Sequence, residues 1–600
     1  MFNLSRTRCD GPRAVPARSA HKPSMFNFPR TRREPPPVSE GNGTNLLRCV
    51  LWGLALVMSW GAGGAEPFVR NSEDLARIEQ AIPRQAPARP ARARRLLIFT
   101  LNVGYGGHPS IAHANQAFTL MGQKTGAFET VVSADPAVFA RQSLKQFDAV
   151  FFNNTVGNCF TNRQWRQDLA EFVMGGGGLM GVHGTTVAFT RWPGAIEDWP
   201  EFGFLIGARG ANHKDSDEHV WIRVEEPDHP VTRVFGGAGF DYRDEFFRVH
   251  EPYSRNRLRV LLTIDTVKTD VTQGAPRGDC MRADNDYALA WIGSYGRGRI
   301  FYCTMAHNPR DFWDPKLLEF YLAAAQFALG DLPAPTTPSA RLTAAVRAQE
   351  RLGWRLGTAP RAGGKFTLFE AIDQAAQLGL SHLGGASGQP VSLEIPKELG
   401  PRLTESECEA VRLKLAGAGA RLVTYHLPDF PADDAGRRQW FEFGRKMGIE
   451  TFISEPDPQA LGRLEQLCNE YDVKLALHDC GAKAAPHYAG PDGFLEACRG
   501  RGARIGAAGS LADWRRAGID PLRALQTLAD RLLTVELSGL PGESGADPAE
   551  AFLLQIQRLG LHPTLFALVG AEGGPESLPT LTRRIQSFNA ASLKAAAAQR

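Results

Sequence analysis

The stretch Gly175–Gly184, GGGGLMGVHG, decides how the first half of this chain is read. A glycine run feeds a short apolar strand, and the strand ends in Gly181-Val182-His183-Gly184. Glycines on both sides of one polar residue at a strand end are what a tight turn needs to push a side chain into a cleft. The residue so presented is His183. An acyl-transfer site would place its nucleophile there, so the turn keeps that geometry without the nucleophile.

Strand and helix alternate around this turn. RRLLIFTL (94–101) reads as a buried strand followed by the loop NVGYGGHPS, and AFETVVS and DAVFFNNT read as further strands. RQWRQDLAEFVMGG has the spacing of an amphipathic helix, and LMGV is the next strand. Continuous apolar strands alternating with helices predict a parallel sheet covered on both faces. Ligands of such sheets bind beyond the carboxyl ends of the strands. The loops there carry Asn102, His108, Asn153, Asn154 and His183, which gathers polar groups on one rim. Further on, GARGANHKD holds His213, EEPDHPV holds His229, YRDEFFRV holds Asp244 and Glu245, and GRGRIFYCTMAHN ends at His307.

GGHPS, the GGGGLMGVHG turn, the His213 loop, the Asp-His-Pro triplet, the Asp-Glu pair and YGRGRIFYCTMAHN occur in that order. Together they make residues 95–332 resemble the ThuA-like (trehalose utilisation) family. That family is similar in fold to class I glutamine amidotransferase domains, whose turn carries a cysteine, and it lacks that cysteine. The resemblance implies a flavodoxin-like α/β sheet domain and a role in sugar metabolism on a glycoside, a disaccharide or an oxidised (3-keto) sugar. His183, Glu245 and His108 are the candidate catalytic groups. Asn102, Asn153, His213, Trp192, Asp244 and His307 are candidate substrate contacts. His183 has three readings: a ligand of a divalent metal with His108, His213 or His307, a general acid/base working with Glu245, or a structural histidine. Asp244 and Glu245 also read as a solvated pair, His229 reads as a turn residue, and Trp192 and Trp199 read equally as a sugar platform or as core.

The rest of the chain shows eight strand-like runs: WRLGTAP, LSHLGGA, RLVTYHL, IETFISEP, VKLALHD, ARIGAAGS, LLTVELS and PTLFALVG. Helical segments separate them, and eight such repeats predict a (β/α)8 barrel. TFISEPDPQALGRLEQLCNEYDVKLALHD and DWRRAGIDPLRAL resemble the xylose isomerase-like barrels of sugar phosphate isomerases and epimerases. That resemblance implies a divalent metal held by carboxylates and a histidine at the strand ends. Glu455 and His478 match two of those positions. Asp479 and Cys480 replace the rest of a His-Asn-His run, Ser510 stands where an acid is expected, and Glu536-Leu537-Ser538-Gly539 replaces a His-x-Lys-Asp run. The eighth-strand acid is missing from LFALVG. Glu536 is a substitute acid, but the set stays incomplete for a hard cation. The expectation is a barrel that has lost its metal and its isomerase chemistry. A non-catalytic carbohydrate-binding or scaffolding protein with a pseudo-isomerase barrel is therefore the alternative function.

At 600 residues the chain exceeds one core, and linkers at 66–94 and 333–350 bracket 95–332 and set off 351–590. The formal charge of +4 is concentrated at the start, where residues 1–65 hold nine Lys/Arg against three Asp/Glu. The remainder has no bias toward nucleic acid or anionic membrane. A basic flank, the apolar run CVLWGLALVMSW and GAGGA read as a signal peptide cut near Ala65, with a short membrane anchor as the other reading. This predicts an exported, periplasmic or extracellular protein without stable membrane insertion. MFNLSRTR at 1–8 recurs as MFNFPRTR at 25–32, so Met25 is an alternative start. The nine cysteines are scattered and give neither a zinc ribbon nor a disulfide scaffold, though one or two disulfides fit an exported chain. A small carbohydrate is the expected partner, with a homo-oligomer open.

Overall fold

The glycine-fed strand sits near the middle of a nine-stranded sheet. The computed structural model describes residues 67–191, 196–272, 281–360, 366–478, 487–537, 548–569 and 577–599. The leader at 1–65, Trp192, Asp479, Cys480, Ser538 and Gly539 lie outside them. No helix among the described residues is long and apolar enough to cross a membrane.

The sheet's strands are β1 (Arg95–Phe99), β2 (Glu129–Ser133), β3 (Ala149–Asn153), β4 (Gly178–Val182), β5 (Glu218–Val224), β6 (Phe240–Asp244), β7 (Arg259–Ile264), β8 (Ala288–Tyr295) and β9 (Gly298–Cys303). Their order is β2-β1-β3-β4-β9-β8-β7-β5-β6. Five strands, β2 to β9 in that order, are parallel, as the apolar runs predict. The other four pair antiparallel. The reason is local: β8 and β9 form a tight hairpin with Gly296 at φ 58, which reverses the chain without a crossover helix. β5 alternates buried and accessible positions, as a strand with one wetted face does.

Helices α1 (Ile111–Thr125), α2 (Arg163–Met174), α3 (Pro200–Ile206) and α4 (Pro315–Leu329) pack against this sheet. Asn162 caps α2 by accepting from Gln164 N and Trp165 N. The glycine run has a packing cause. A Cβ on Gly178 would stand 2.2 Å from the Ala328 carbonyl of α4, and one on Gly177 would meet the Phe172 ring at 2.3 Å.

The remaining strands close an eight-stranded parallel barrel. They are β10 (Leu356–Ala359), β11 (His382–Ala386), β12 (Arg421–His426), β13 (Thr451–Ser454), β14 (Lys474–Leu477), β15 (Ile505–Ser510), β16 (Leu532–Glu536) and β17 (Phe566–Val569). All eight predicted runs are strands of it. Helices α5 (Glu405–Gly417) and α6 (Asp434–Met447) face the first half of the chain.

Ion pairs join the two halves. Arg412 of α5 and Glu201 of α3 are both almost fully buried, 2.8 Å apart, and the Tyr295 hydroxyl donates to Glu201 at 2.5 Å. Glu171 of α2 takes Arg445 at 2.6 Å and Lys446 at 3.1 Å. Removing one partner of a buried pair leaves an uncompensated charge, at a cost of about 3–5 kcal/mol. Arg412→Ala is expected to lose stability on that scale in urea denaturation of the full chain. The double change Arg412→Met/Glu201→Met should recover most of it.

Two carboxyls at this seam are held far below the usual 4.5. Burial opposes the charge of Glu171, but hydrogen bonding from Gln167 and the charges of Arg445 and Lys446 prevail, and its pKa falls to about 2. Burial likewise opposes Glu450, where Arg355 and Arg421 prevail, again to about 2. A folded pKa below the unfolded one gives stability that is complete above the unfolded value and lost on acidification. Denaturation midpoints should therefore hold down to pH 4.5 and fall progressively between pH 4.5 and about 2. Glu171→Gln should flatten that fall.

Candidate functional site

His183 follows β4 with φ +42, a left-handed backbone that a residue with a Cβ rarely adopts. The predicted turn is therefore real, and its side chain is fully buried. Three groups hold the conformation. The Tyr302 hydroxyl donates to the His183 carbonyl at 2.8 Å, Thr186 Oγ1 donates to it at 3.3 Å, and His183 Nδ1 lies 3.0 Å from the Thr304 carbonyl. A carbonyl only accepts, so Nδ1 donates to it and Nε2 is the ring atom turned to the cluster. Nε2 faces Glu245 Oε1 at 3.3 Å.

Asn154, also left-handed at φ 56, ties three loops together. Its Nδ2 donates to Ser110 Oγ at 3.1 Å and to the Ala306 carbonyl at 2.9 Å, and its Oδ1 accepts from Gly184 N at 3.2 Å. The loops after β1, β4 and β9 are thereby drawn to one point, which brings His108, His183 and His307 together. Ring centroids are 4.8 Å apart for His108–His183, 5.2 Å for His183–His307 and 5.4 Å for His108–His307.

Glu245 completes the cluster. Its Oε2 lies 3.2 Å from His213 Nδ1 and 3.7 Å from His307 Nε2. One donor atom each from His108, His183, Glu245 and His307 lies within 4.8 Å of all the others. His108 Nδ1, His183 Nε2 and His307 Nδ1 are buried and make no hydrogen bond. Phe247 packs edge-on against His183 and His213, and Tyr105, partly exposed, leans on His108 at 5.0 Å.

The electrostatics follow from burial. Desolvation, reinforced by His183 and His307, drives His108 down to about 2, so it is neutral. Desolvation and His183 lower His307 as well. Burial opposes the Glu245 charge, but the His183, His213 and His307 imidazoles beside it outweigh burial and lower its pKa.

Other predicted residues have different places. Asp244 is fully buried behind the cluster, where it accepts from Asn308 Nδ2 at 2.7 Å and from His307 N at 3.3 Å. Burial pushes Asp244 and its neighbour Asp311 upward, and repulsion from Asp244 adds to the rise of Asp311. Asn153 is also fully buried, and its amide is committed to Asn115 and the Ile111 carbonyl. It fastens α1 to β3 and does not line the cleft. Asn102 donates to the Thr100 carbonyl and keeps a buried Oδ1 without a hydrogen bond. His229 bridges Val231 N and the Pro335 carbonyl, as a turn residue does. Trp199 packs on Phe189 at 4.9 Å in the core. Tyr302, Thr304 and Phe247 were not singled out by sequence reasoning, and TM-AH around His307 carries no sign that its first threonine fixes a tautomer.

The described cysteines offer no nucleophile in place of His183. All five described ones are free and buried, and desolvation raises Cys159 and Cys303 to about 12. A reactive thiol needs the opposite shift.

At the barrel mouth, Glu455 is buried and accepts from His487 N at 2.9 Å. It does not join His478 in a donor set. His478 instead approaches Asp513 and Glu536 within 4.8 Å. Asp513 lies one helical turn beyond Ser510, which caps it through Oγ, and it pairs with Arg516 at 2.7 Å. Three donors, one already paired, fall short of the oxygen shell a hard cation takes.

A single change tests the packing of the cluster. A Cβ on Gly184 would stand 2.9 Å from His108 Cε1 and 3.0 Å from Val156 Cγ2. Gly184→Ala should cost about 1–3 kcal/mol in denaturation and shift the His108 ring signals in NMR.

Residues 95–328 match the family described as ThuA: Trehalose utilisation. Among solved structures, the chain is similar to a ThuA-like protein from Bacteroides uniformis, at 20% identity over 40% of this chain and 94% of that one, TM-score 0.33. It is similar to a sugar phosphate isomerase/epimerase from Parabacteroides distasonis, at 13% identity over 40% and 95%, TM-score 0.32. It is also similar to the 3-keto-D-glucoside 4-epimerase of E. coli, at 12% identity over 40% and 99%, TM-score 0.30. No curated protein matches it. The family match supports a sugar-related role for residues 95–328.

Proposed function

We propose, from the premise that residues 95–328 are a ThuA domain, that the His108–His183–Glu245–His307 cluster is a cation-assisted centre acting on a sugar. The substrate class is a glycoside, a disaccharide or a 3-keto sugar. The observation that carries the reading is the convergence of one donor atom each from His108, His183, Glu245 and His307 within 4.8 Å, with His183 Nε2 3.3 Å from the Glu245 carboxylate. A positive charge between the imidazole and the carboxylate, carried by a proton or by a cation, stabilises that approach. Two donors each 2.0–2.1 Å from one tetrahedral ion are about 3.3 Å apart, so the spacing fits a divalent metal. Three histidines and one carboxylate are the donor types such an ion takes.

A bound cation there supplies polarisation of a sugar carbonyl or hydroxyl oxygen. The protein's own groups do the rest. Thr304 keeps the His183 proton on Nδ1, which leaves Nε2 to donate a lone pair. Glu245 Oε2, beside His213, accepts a proton from the substrate carbon next to a carbonyl or from a hydroxyl. His213, on the accessible edge of the cluster, orients that oxygen. The barrel lends a second carbohydrate-related surface without isomerase chemistry. Export through the leader at 1–65 belongs to the same reading.

The test is metal analysis of the purified protein combined with a screen of disaccharides and their 3-keto forms. One divalent ion per chain, lost in His183→Ala and His108→Ala with the fold intact by circular dichroism, is expected. Proton exchange of a 3-keto sugar in D2O, followed by NMR, should be abolished by Glu245→Gln. Sugar binding indifferent to His183→Ala and to chelators would instead identify a carbohydrate-binding module.

A further inference from the structure

A cavity of about 980 Å³ lies between the two halves, away from the histidine cluster. Its walls come from the amino-terminal ends of strands on both sides. Gly175–Gly177, Arg297 and Arg299 flank β4 and β9, while Arg421, Lys474 and Arg504 stand at or just before the starts of β12, β14 and β15. Ten Arg and Lys line it against seven Asp and Glu.

The acids do not neutralise that excess, because five of them are already shared between two cations. Asp148 takes Arg92 and Arg94, and Glu171 takes Arg445 and Lys446. Glu442 takes Arg141 and Arg445, Glu450 takes Arg355 and Arg421, and Asp472 takes Arg297 and Arg504. Arg299 is held by backbone carbonyls, with Nε donating to Ala328 at 2.9 Å and Nη2 to Gly176 at 2.8 Å, and pairs with no carboxylate among the described residues. Lys145 and Lys474 make no ion pair or side-chain hydrogen bond among the described residues, and Arg421 Nε is buried without a hydrogen bond. Burial and neighbouring arginines lower Arg299 to about 10, and they also lower Arg421 and Lys474. Arg299, Arg421 and Lys474 are each crowded by neighbouring arginines, and an added anion relieves that crowding.

We propose that this cavity binds a small phosphorylated molecule, whose phosphate sits among Arg299, Arg421, Lys474 and Lys145 and links the two halves. A compact dianion suits several converging cations better than a monoanionic carboxylate does. The volume lies at the upper end of ordinary small-molecule sites, so it admits a phosphate ester as well as free phosphate. The proposal is independent of what the histidine cluster does.

Calorimetric titration of the full chain at low salt, with inorganic phosphate, glucose 6-phosphate and glucose as separate probes, tests it. One site per chain is expected for a phosphate-bearing probe, with none for glucose and marked weakening when salt is raised. Comparable binding of both phosphates assigns the site to the phosphate group, and tenfold tighter glucose 6-phosphate assigns it to the ester. Lys145→Gln/Lys474→Gln, which breaks no contact between the halves, should weaken binding at least tenfold and leave the denaturation midpoint in phosphate-free buffer unchanged. Absence of binding, or binding that this double variant does not weaken, overturns the proposal.

Discussion

One backbone conformation organises the first half of the molecule: His183 in the left-handed region at the end of β4. A residue with a Cβ held there costs about 1–3 kcal/mol, and the surroundings must over-determine it. Besides Thr186 in the turn itself, the neighbouring strand does so. Tyr302 and Thr304, at the end of β9, grip the carbonyl and the ring of His183 respectively. The parallel register of β4 with β9, Gly181 opposite Tyr302 and Val182 opposite Cys303, sets both contacts. Trp291 stacks on Tyr302 at 4.4 Å and is itself fixed by the Ile206 carbonyl. The strain is therefore carried by the core, and the ring is aimed with little freedom left to it.

The seam with the barrel is compatible with that arrangement because it lies at the other ends of the strands. Arg297, before β9, donates to the Gly175 carbonyl before β4 and to the Tyr471 and Asp472 carbonyls before β14. Both halves thus turn their amino-terminal strand ends toward each other and leave their carboxyl-terminal rims free. The histidine cluster occupies one rim and His478, Asp513 and Glu536 the other. Glu171 and Glu450 illustrate the electrostatic cost of such a seam: each is stable as an anion because two cations reach it.

Period made the fold legible. Each barrel strand is a short apolar run between helical spacings, and closure follows from counting eight of them. The direction of β5 to β8 was not legible in the same way, since strand direction depends on connections and not on the strands' own composition. In the site, His108, His183, Glu245 and His307 could be chosen because each follows a strand on the rim where loops converge. Asn153 sits at the same rim but at the last paired position of β3, where one residue's difference turns the side chain into the core. Asp513 escaped notice because its carboxylate is displaced by one helical turn from the position that Ser510 occupies. A sequence match aligns residues, whereas a ligand shell aligns atoms.

The same displacement of role explains the turn itself. A nucleophile needs a strained turn so that its side chain is lifted clear of the sheet and open to an acyl group. His183 has the strain without the openness, since its ring is fully buried against Phe247, His108 and His307. A cysteine there would be raised by burial, as Cys303 is, and made inert. An imidazole tolerates the same burial, because one ring nitrogen can still offer a donor or acceptor face. Thr304 decides which nitrogen presents it, and Glu245 supplies the opposing charge that only a proton or a cation can reconcile with it. The geometry that elsewhere exposes a nucleophile serves in this chain to aim a ring nitrogen inward.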